Sequence, residues 1–118
     1  MDRYRLVEWL TFITTEVHKN FGVFFIPGYP EDALRLTRET IAERLRFVEG
    51  QLMERTYLQG ERFSVADAYL FTVLSWTEKH GVDLQPYPNL RAYRSRVGDR
   101  LAVLAALRHE GLLDRQAA

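Results

Sequence analysis

The sequence has 118 residues, 16 basic and 16 acidic side chains and 47% hydrophobic residues, which is typical of one globular domain. It has no cysteine, which excludes disulfides, thiolate zinc sites and a cysteine nucleophile within this chain. A net charge of zero gives no long-range field to attract nucleic acid, and no apolar stretch is long enough to cross a bilayer. We therefore expect a cytoplasmic protein with no nucleic-acid or membrane partner, since the N-terminal residues also lack a signal-peptide pattern.

The first predicted element is an amphipathic helix from about Asp2 to Phe21. Gly22 is expected to end it, and the next segment, FFIPGYP, contains two prolines and a glycine that favour a loop. The helix is predicted because apolar residues recur every three or four positions. These residues are Leu6, Leu10, Ile13, Val17 and Phe21.

A second helix is predicted from Pro30 to about Leu52. Proline fits the first turn of a helix, and the acidic Glu31 and Asp32 suit the positive end of the helix dipole. One face is apolar and the other is largely charged, so we expect the helix to pack antiparallel on the first helix. Its apolar stripe consists of Leu34, Ile41, Leu45, Val48 and Leu52.

The segment FSVADAYLFTVLSW predicts a third helix that begins at Ser64. Ser64 precedes Asp67 by three residues, which is the spacing of a capping box: each side chain accepts a hydrogen bond from the backbone amide of the other residue. This structural role accounts for Asp67 better than a catalytic one. Because nearly every face from Val65 to Trp76 is apolar, we expect a core helix surrounded by the others.

Two further helices are predicted after Gly81 and the irregular segment VDLQPYP. The fourth runs from Asn89 to Val97 and stops at Gly98, and the fifth runs from about Leu101 to Glu110 before Gly111. No strand-like alternation of useful length is present. The sequence therefore predicts an all-α protein, a helical bundle of about five helices.

Histidines are the main acid–base candidates in this sequence. His80 and His109 lie close to predicted helix ends, where a favourable interaction with the helix dipole gives them a structural role. His18 belongs to a polar group on the last turns of the first helix, and both a structural and a functional role stay open for it. Its polar neighbours are Thr15, Glu16 and Lys19.

Aromatic residues form a second candidate group. Most aromatic side chains in a small domain fill the core, but beside a polar group they can also line a small-molecule pocket, and both alternatives stay open. No spacing typical of a phosphate, dinucleotide or metal site, or of a nucleophile elbow, is present. The aromatic candidates are Phe21, Phe24, Phe25, Tyr69 and Trp76.

Four segments in order resemble the C-terminal helical domain of bacterial glutathione S-transferases, closest to the beta class. The resemblance covers essentially all of residues 1–118, and it implies that the thioredoxin-like N-terminal domain of that family, with its characteristic cysteine, is absent. Leu101 replaces a proline of the family, which is expected to loosen the junction between the last two helices. The segments are EWLTFITTEVHKNF (8–21), YLQGERFSVADAYLFTVLSW (57–76), YPNLRAYRSRV (87–97) and EGL (110–112).

The resemblance also implies roles for individual residues. His18 and Lys19 would be the catalytic side chains, near the glutathione sulfur and the electrophile. Glu16 would reach glutathione across the dimer interface, and Thr11 replaces an asparagine that makes another such contact in many beta-class members. The hydrophobic substrate pocket would be lined by Phe21, Phe25, Tyr69 and Trp76.

Two functions follow from this resemblance. In the first, the chain supplies the hydrophobic electrophile pocket and the dimer contacts for glutathione conjugation, as a homodimer or with a thioredoxin-like partner domain. We expect it to be inactive alone, with weak or absent glutathione binding, because the N-terminal domain holds most of that co-substrate. The alternative is a non-catalytic protein-interaction or assembly module, as in elongation factor gamma subunits, because uncovered apolar surface on the first and third helices would attract a protein partner.

Overall fold

The structure is a computed structural model that describes the backbone of residues 3–117 and the side chains of residues 3–109. This part of the chain is mostly helical and contains no strand, so the all-α prediction is confirmed. Two 3₁₀ turns, Gly22–Phe25 and Glu78–His80, lie between helices. The α-helices are α1 (Arg3–Phe12), α2 (Lys19–Phe21), α3 (Glu31–Gln51), α4 (Val65–Leu74) and α5 (Pro88–Ala117).

The first predicted helix is continuous, but it contains a π-helical segment, Ile13–His18, between α1 and α2. The α-helical hydrogen bonding ends at Phe21, as predicted, and the predicted start at Asp2 lies outside the described residues. A π-helical turn changes the faces on which the following side chains lie, and such turns are frequent at functional sites. His18 is the last residue of this segment. The buried face of the helix carries Trp9, Ile13, Val17 and Phe21.

The second predicted helix is observed as α3, which begins directly after Pro30. Its apolar residues Ile41, Leu45 and Val48 are buried, while its opposite face is exposed to solvent. The helix contacts both the π-helical segment and α2. The apolar periodicity of the first two helices was therefore sufficient to predict that they pack together.

The connection between α3 and α4 is held to the rest of the bundle by Asp67. Ser64 and Asp67 form a capping box at the start of α4, in which the Ser64 amide donates to Asp67 Oδ2 at 2.8 Å. Asp67 Oδ1 accepts hydrogen bonds from the Leu58 amide at 3.0 Å and from the Tyr93 hydroxyl at 2.7 Å. The carboxylate is fully buried, and these donors compensate for its loss of hydration.

The predicted division of the last segment into two helices is wrong, because α5 is one helix of 30 residues. Neither Gly98 nor Gly111 ends it; a glycine costs a helix interior only about 1 kcal/mol, which packing can offset. At Gly98 a Cβ atom would lie 3.1 Å from Cε2 of Phe71, so the glycine allows the Phe71 ring to approach the helix. The junction that was expected to loosen at Leu101 is also absent, because α5 continues through this residue. Proline is disfavoured inside a helix because it lacks the amide proton and its ring clashes with the preceding turn, and leucine has neither disadvantage.

The N-terminus of α5 is capped by a side chain from α3. Glu49 accepts hydrogen bonds from the amides of Asn89, at 2.7 Å, and Leu90, at 3.0 Å. These amides belong to the first turn of the helix and have no partner within it. The negative carboxylate also suits the positive end of the helix dipole, so Glu49 fixes the position of α5 against α3.

The core lies between the first helix, α3, α4 and the first half of α5, and α4 is central to it. Ala66, Leu70, Val73 and Leu74 of α4 are buried. The expectation that α4 is surrounded on all sides is wrong, because Val65 is 60% exposed and one side of the helix is open to solvent. That open side leads to Tyr69 and Trp76, both half-buried. No helix in the described part of the chain is both long and apolar enough to cross a membrane.

Candidate functional site

His18 lies at the end of the π-helical segment, next to the open side of α4. Its Nδ1 atom is 2.5 Å from the hydroxyl oxygen of Tyr69. The same hydroxyl lies 3.2 Å from Oγ1 of Thr14, which in turn donates to the carbonyl oxygen of Leu10 at 2.8 Å. The His18 side chain is exposed, and among residues 3–109 no hydrogen-bond partner is found for its Nε2 atom. The imidazole is therefore held on one side and free on the other.

Aromatic rings surround the held side of this imidazole. The Trp76 ring meets His18 edge-on, with 5.1 Å between ring centroids, and the Tyr69 ring does so at 5.7 Å. Phe21, which is fully buried, packs edge-on against Trp76 at 5.8 Å. Apolar walls around an oriented polar group are typical of small-molecule sites. We refer to His18, Thr14, Phe21, Tyr69 and Trp76 as the His18 cluster.

A second aromatic group adjoins the His18 cluster at Phe21. His80 stacks on Phe24 with 4.7 Å between ring centroids and an interplanar angle of 15°. Phe25 meets His80 edge-on at 5.4 Å and is 67% exposed. Within residues 3–109, no ring contact links Phe25 directly to His18, so Phe25 lies at the periphery of the group predicted for the pocket.

The other predicted site residues lie around the first helix. Glu16 does not contact His18; its Oε2 accepts a hydrogen bond from Nε of Arg44 at 2.7 Å. Lys19 and Thr11 are exposed. The structure therefore brings together four of the predicted residues, while Glu16, Lys19, Thr11 and Phe25 lie outside the cluster. The four residues are His18, Phe21, Tyr69 and Trp76.

Two polar residues of the site were missed by the sequence interpretation. Thr14 was not included in the polar group around His18, although the two residues are four positions apart and so share a helix face. Thr15, which was included, instead donates to the carbonyl of Thr11 at 2.8 Å. The role of Arg44, on α3, was not predicted either, because no local spacing indicates its contact with Glu16, 28 positions away in the sequence.

Burial changes the acidity of Tyr93, which lies next to the Asp67 capping box. Desolvation raises the pKa of Tyr93 far above its ordinary value, and the neighbouring Asp67 carboxylate raises it further. Tyr93 is therefore a neutral hydrogen-bond donor over the physiological pH range. Across the described residues, no group of three or more His, Asp or Glu side chains is arranged to hold a metal ion.

The all-helical fold and the His18 cluster define a small helical domain with a candidate small-molecule site. Residues 9–100 match the family "Glutathione S-transferase, C-terminal domain". Glutathione S-transferase GstA from Escherichia coli O157:H7 is 38% identical over 112 residues, which cover 95% of this chain and 56% of GstA. This chain therefore belongs to the glutathione S-transferase C-terminal domain family.

Solved structures of bacterial transferases have the same fold. The ternary complex of BphK, a bacterial GST, superposes with a TM-score of 0.83 at 44% identity, over 94% of this chain and 56% of the BphK chain. A sphingomonad glutathione S-transferase complexed with glutathione gives a TM-score of 0.81 at 39% identity, over 95% of this chain and 56% of the other. The chain thus spans about half the length of the relatives it matches.

A more distant relative is an elongation factor gamma subunit, the kind of protein that illustrates the alternative function as an assembly module. Elongation factor 1-gamma from Artemia salina is 28% identical over 88 residues, covering 70% of this chain and 20% of that protein. GstA matches at higher identity and over more of this chain. The comparisons therefore favour the bacterial transferases over the assembly module.

Proposed function

We propose that this chain is the helical half of a glutathione-conjugating enzyme, in which the His18 cluster forms one wall of the site for a hydrophobic electrophile. The observation that carries the proposal is the exposed imidazole of His18, held by Tyr69 and edged by the Trp76 ring. In this function Trp76, supported from behind by fully buried Phe21, excludes water from the electrophile, and exposed Phe25 closes the outer edge of the pocket. His18 faces the reacting sulfur.

The charged residues near the cluster fit this function. Lys19 follows His18 directly on an exposed surface, where its ammonium group would stabilise negative charge on the glutathione sulfur. Glu16 uses Oε2 for Arg44, and its Oε1 has no hydrogen-bond partner among residues 3–109. We propose that Oε1 contacts glutathione bound mainly by the partner subunit of a homodimer, and that Thr11 contributes a further contact there.

Glutathione binding is proposed to require a thioredoxin-like domain in addition to this chain. The support is the length relationship, since the match covers 56% of GstA, and the bound glutathione in the sphingomonad relative. A wall of a site without the rest of its contacts cannot offset the entropy lost on binding a small molecule. We therefore expect negligible transferase activity for the chain alone. The cytoplasmic location expected from the sequence stays a prediction.

The experiment is a chimera that joins the part of GstA preceding its match to the N-terminus of this chain. We expect conjugation of glutathione to an aryl halide by the chimera, and none above background by the chain alone. Trp76→Ala in the chimera is expected to lower kcat/KM for the aryl halide about tenfold, because it removes an apolar wall of the pocket. Kinetics at varied electrophile concentration measure this effect.

The matched control is Met53→Ala, which removes an exposed apolar side chain from the connection after α3, away from the cluster. It is expected to leave kcat/KM unchanged. A chimera that folds and binds glutathione but keeps full activity with Trp76→Ala would contradict the pocket assignment. Robust turnover by the chain alone would contradict the required second domain.

A further inference from the structure

We propose that a directional chain of hydrogen bonds, anchored on the backbone carbonyl of Leu10, sets the tautomer of neutral His18. In this tautomer the proton is on Nδ1, and Nε2 is the proton acceptor at the open side of the His18 cluster. Thr14 and Tyr69 are positioning residues that act on His18 from its held side. The proposal deepens the proposed function and rests on it for its catalytic consequence, whereas the tautomer itself can be measured independently.

The direction of the chain follows from counting protons. A carbonyl oxygen can only accept, so the single hydroxyl proton of Thr14 points to the Leu10 carbonyl, 2.8 Å away. Thr14 Oγ1 can then only accept in its 3.2 Å contact with Tyr69, and the single proton of Tyr69 is used there. In its 2.5 Å contact with His18, the Tyr69 oxygen must therefore accept, and Nδ1 must donate.

The opposite tautomer would make fewer hydrogen bonds. If Tyr69 donated to Nδ1, Thr14 could keep its bond to the Leu10 carbonyl, and the Thr14 and Tyr69 oxygen lone pairs would then face each other across 3.2 Å, or Thr14 could donate to Tyr69 and give up the bond to Leu10. One of three hydrogen bonds would be lost. Hydrogen-bond partners are the usual basis for assigning a histidine tautomer, and here only the proton at Nδ1 allows all three hydrogen bonds of the chain to form together.

The consequence is a proton acceptor at a defined atom. With Nδ1 protonated, the lone pair of neutral His18 is on Nε2, which lies on an exposed side chain and has no hydrogen-bond partner among residues 3–109. A glutathione thiol placed there can transfer its proton to Nε2: the S–H bond breaks, the N–H bond forms, and the electron pair stays on sulfur as a thiolate. The imidazolium then carries the proton on Nε2 until product leaves.

The test is NMR spectroscopy of the 118-residue chain labelled with ¹⁵N in its histidines, at about pH 8.5, where an ordinary histidine is neutral. Long-range ¹H–¹⁵N spectra identify which ring nitrogen of His18 carries the proton. We expect the proton on Nδ1 in the wild-type chain. His80 and His109 are internal references whose spectra should not change in the variants.

The decisive pair of variants is Thr14→Val and Thr14→Ser. Valine has the shape of threonine but offers no acceptor, so the Tyr69 hydroxyl is expected to turn its proton towards Nδ1 and shift His18 to the Nε2–H tautomer. Serine keeps the acceptor and is expected to keep the proton on Nδ1. Neither substitution changes His18 or Tyr69, and a role of Thr14 in packing alone predicts no change of tautomer in the valine variant, which keeps the shape of threonine.

Two results would overturn the proposal: an Nε2–H tautomer for neutral His18 in the wild-type chain, or the same tautomer in both Thr14 variants. The variants fold well enough for the test if the His80 signals are retained, and Tyr69→Phe gives a second route, with loss of the Nδ1–H preference expected. Activity is a separate readout in the GstA chimera. A tautomer shift in Thr14→Val without any loss of kcat/KM would contradict the catalytic role of Nε2 while leaving the hydrogen-bond chain intact.

Discussion

The hydroxyl of Tyr93 in the second turn of α5 donates a 2.7 Å hydrogen bond to the carboxylate of Asp67 at the start of α4. Both side chains are fully buried. The same carboxylate accepts from the amides of Leu58 and Ser64. One side chain thus joins the α3–α4 connection, the N-terminus of α4 and α5, and so holds α4, which carries Tyr69 of the His18 cluster, against α5.

Replacement of Asp67 is expected to destabilise the protein strongly. Asp67→Ala leaves buried donors without an acceptor and removes a helix cap, so we expect the free energy of unfolding to fall by about 3 kcal/mol. Urea denaturation followed by circular dichroism measures the change. The control is Asp99→Ala, an exposed acidic residue on α5, which should change stability by less than about 0.5 kcal/mol. Equal effects of the two substitutions would contradict the structural role of Asp67.

The raised pKa of Tyr93 predicts a loss of stability in alkali. Tyrosines in the unfolded chain lose their protons above about pH 10, whereas buried Tyr93 keeps its proton in the folded state. The native state then binds more protons, so this group lowers the free energy of unfolding by up to about 1.4 kcal/mol per pH unit above pH 10 and has no such effect below it.

The variant that tests the alkaline effect is Tyr93→Phe. It lowers stability at neutral pH, because Asp67 loses a donor, and it makes the decline above pH 10 shallower. Urea denaturation at pH 7, 10 and 11 gives the slope of the unfolding free energy against pH for each variant. The control is Tyr4→Phe, at a position that is 81% exposed. If Tyr93→Phe and wild type declined in parallel above pH 10, Tyr93 would not be protected from titration.

The close approach of Phe71 predicts that Gly98 tolerates no large side chain. Gly98→Leu is expected to lower the free energy of unfolding by about 1–3 kcal/mol, because the new side chain overlaps the Phe71 ring. Gly50, near the end of α3, is the matched control: its Cβ position is open, and Gly50→Ala should stabilise the helix by up to about 1 kcal/mol. Thermal unfolding measures the opposite changes in stability that are expected for Gly98→Leu and Gly50→Ala.

A double substitution tests whether Phe71 is the cause. Phe71→Ala should recover much of the loss caused by Gly98→Leu, so the effects of the two substitutions should be non-additive. Additive effects would show that Gly98 is required for another reason, such as the path of the α5 backbone.

The cap formed by Glu49 predicts that α5 depends on α3 for its first turn. Glu49→Ala is expected to lower the free energy of unfolding by about 1–2 kcal/mol, since two amides lose a charged acceptor. Glu39→Ala, at an exposed position on the same helix, is the control. Hydrogen exchange of the Asn89 and Leu90 amides should accelerate in Glu49→Ala, and unchanged protection of these amides would contradict the cap.

Helix positions and the cap at Ser64 could be predicted because they depend on residues a few positions apart. Apolar spacing located the first helix and α3, and a serine three residues before an aspartate located the start of α4. The last segment was divided wrongly for the same reason: local signals at Gly98 and Gly111 favour a stop, while packing of Phe71 against Gly98, 27 positions away in the sequence, favours one continuous helix.

The candidate site likewise has one part that the sequence predicts and another part that depends on the tertiary structure. His18, Tyr69 and Trp76 could be selected as polar and aromatic candidates, and family resemblance grouped them, but only the folded chain places Tyr69 within 2.5 Å of a residue 51 positions away. Side-chain hydrogen bonds over such separations depend on how the helices pack. The contact of Thr14 with Tyr69, the ion pair of Glu16 with Arg44 and the hydrogen bond of Tyr93 with Asp67 are therefore properties of the tertiary structure, whereas the helices that carry these residues follow from local spacing.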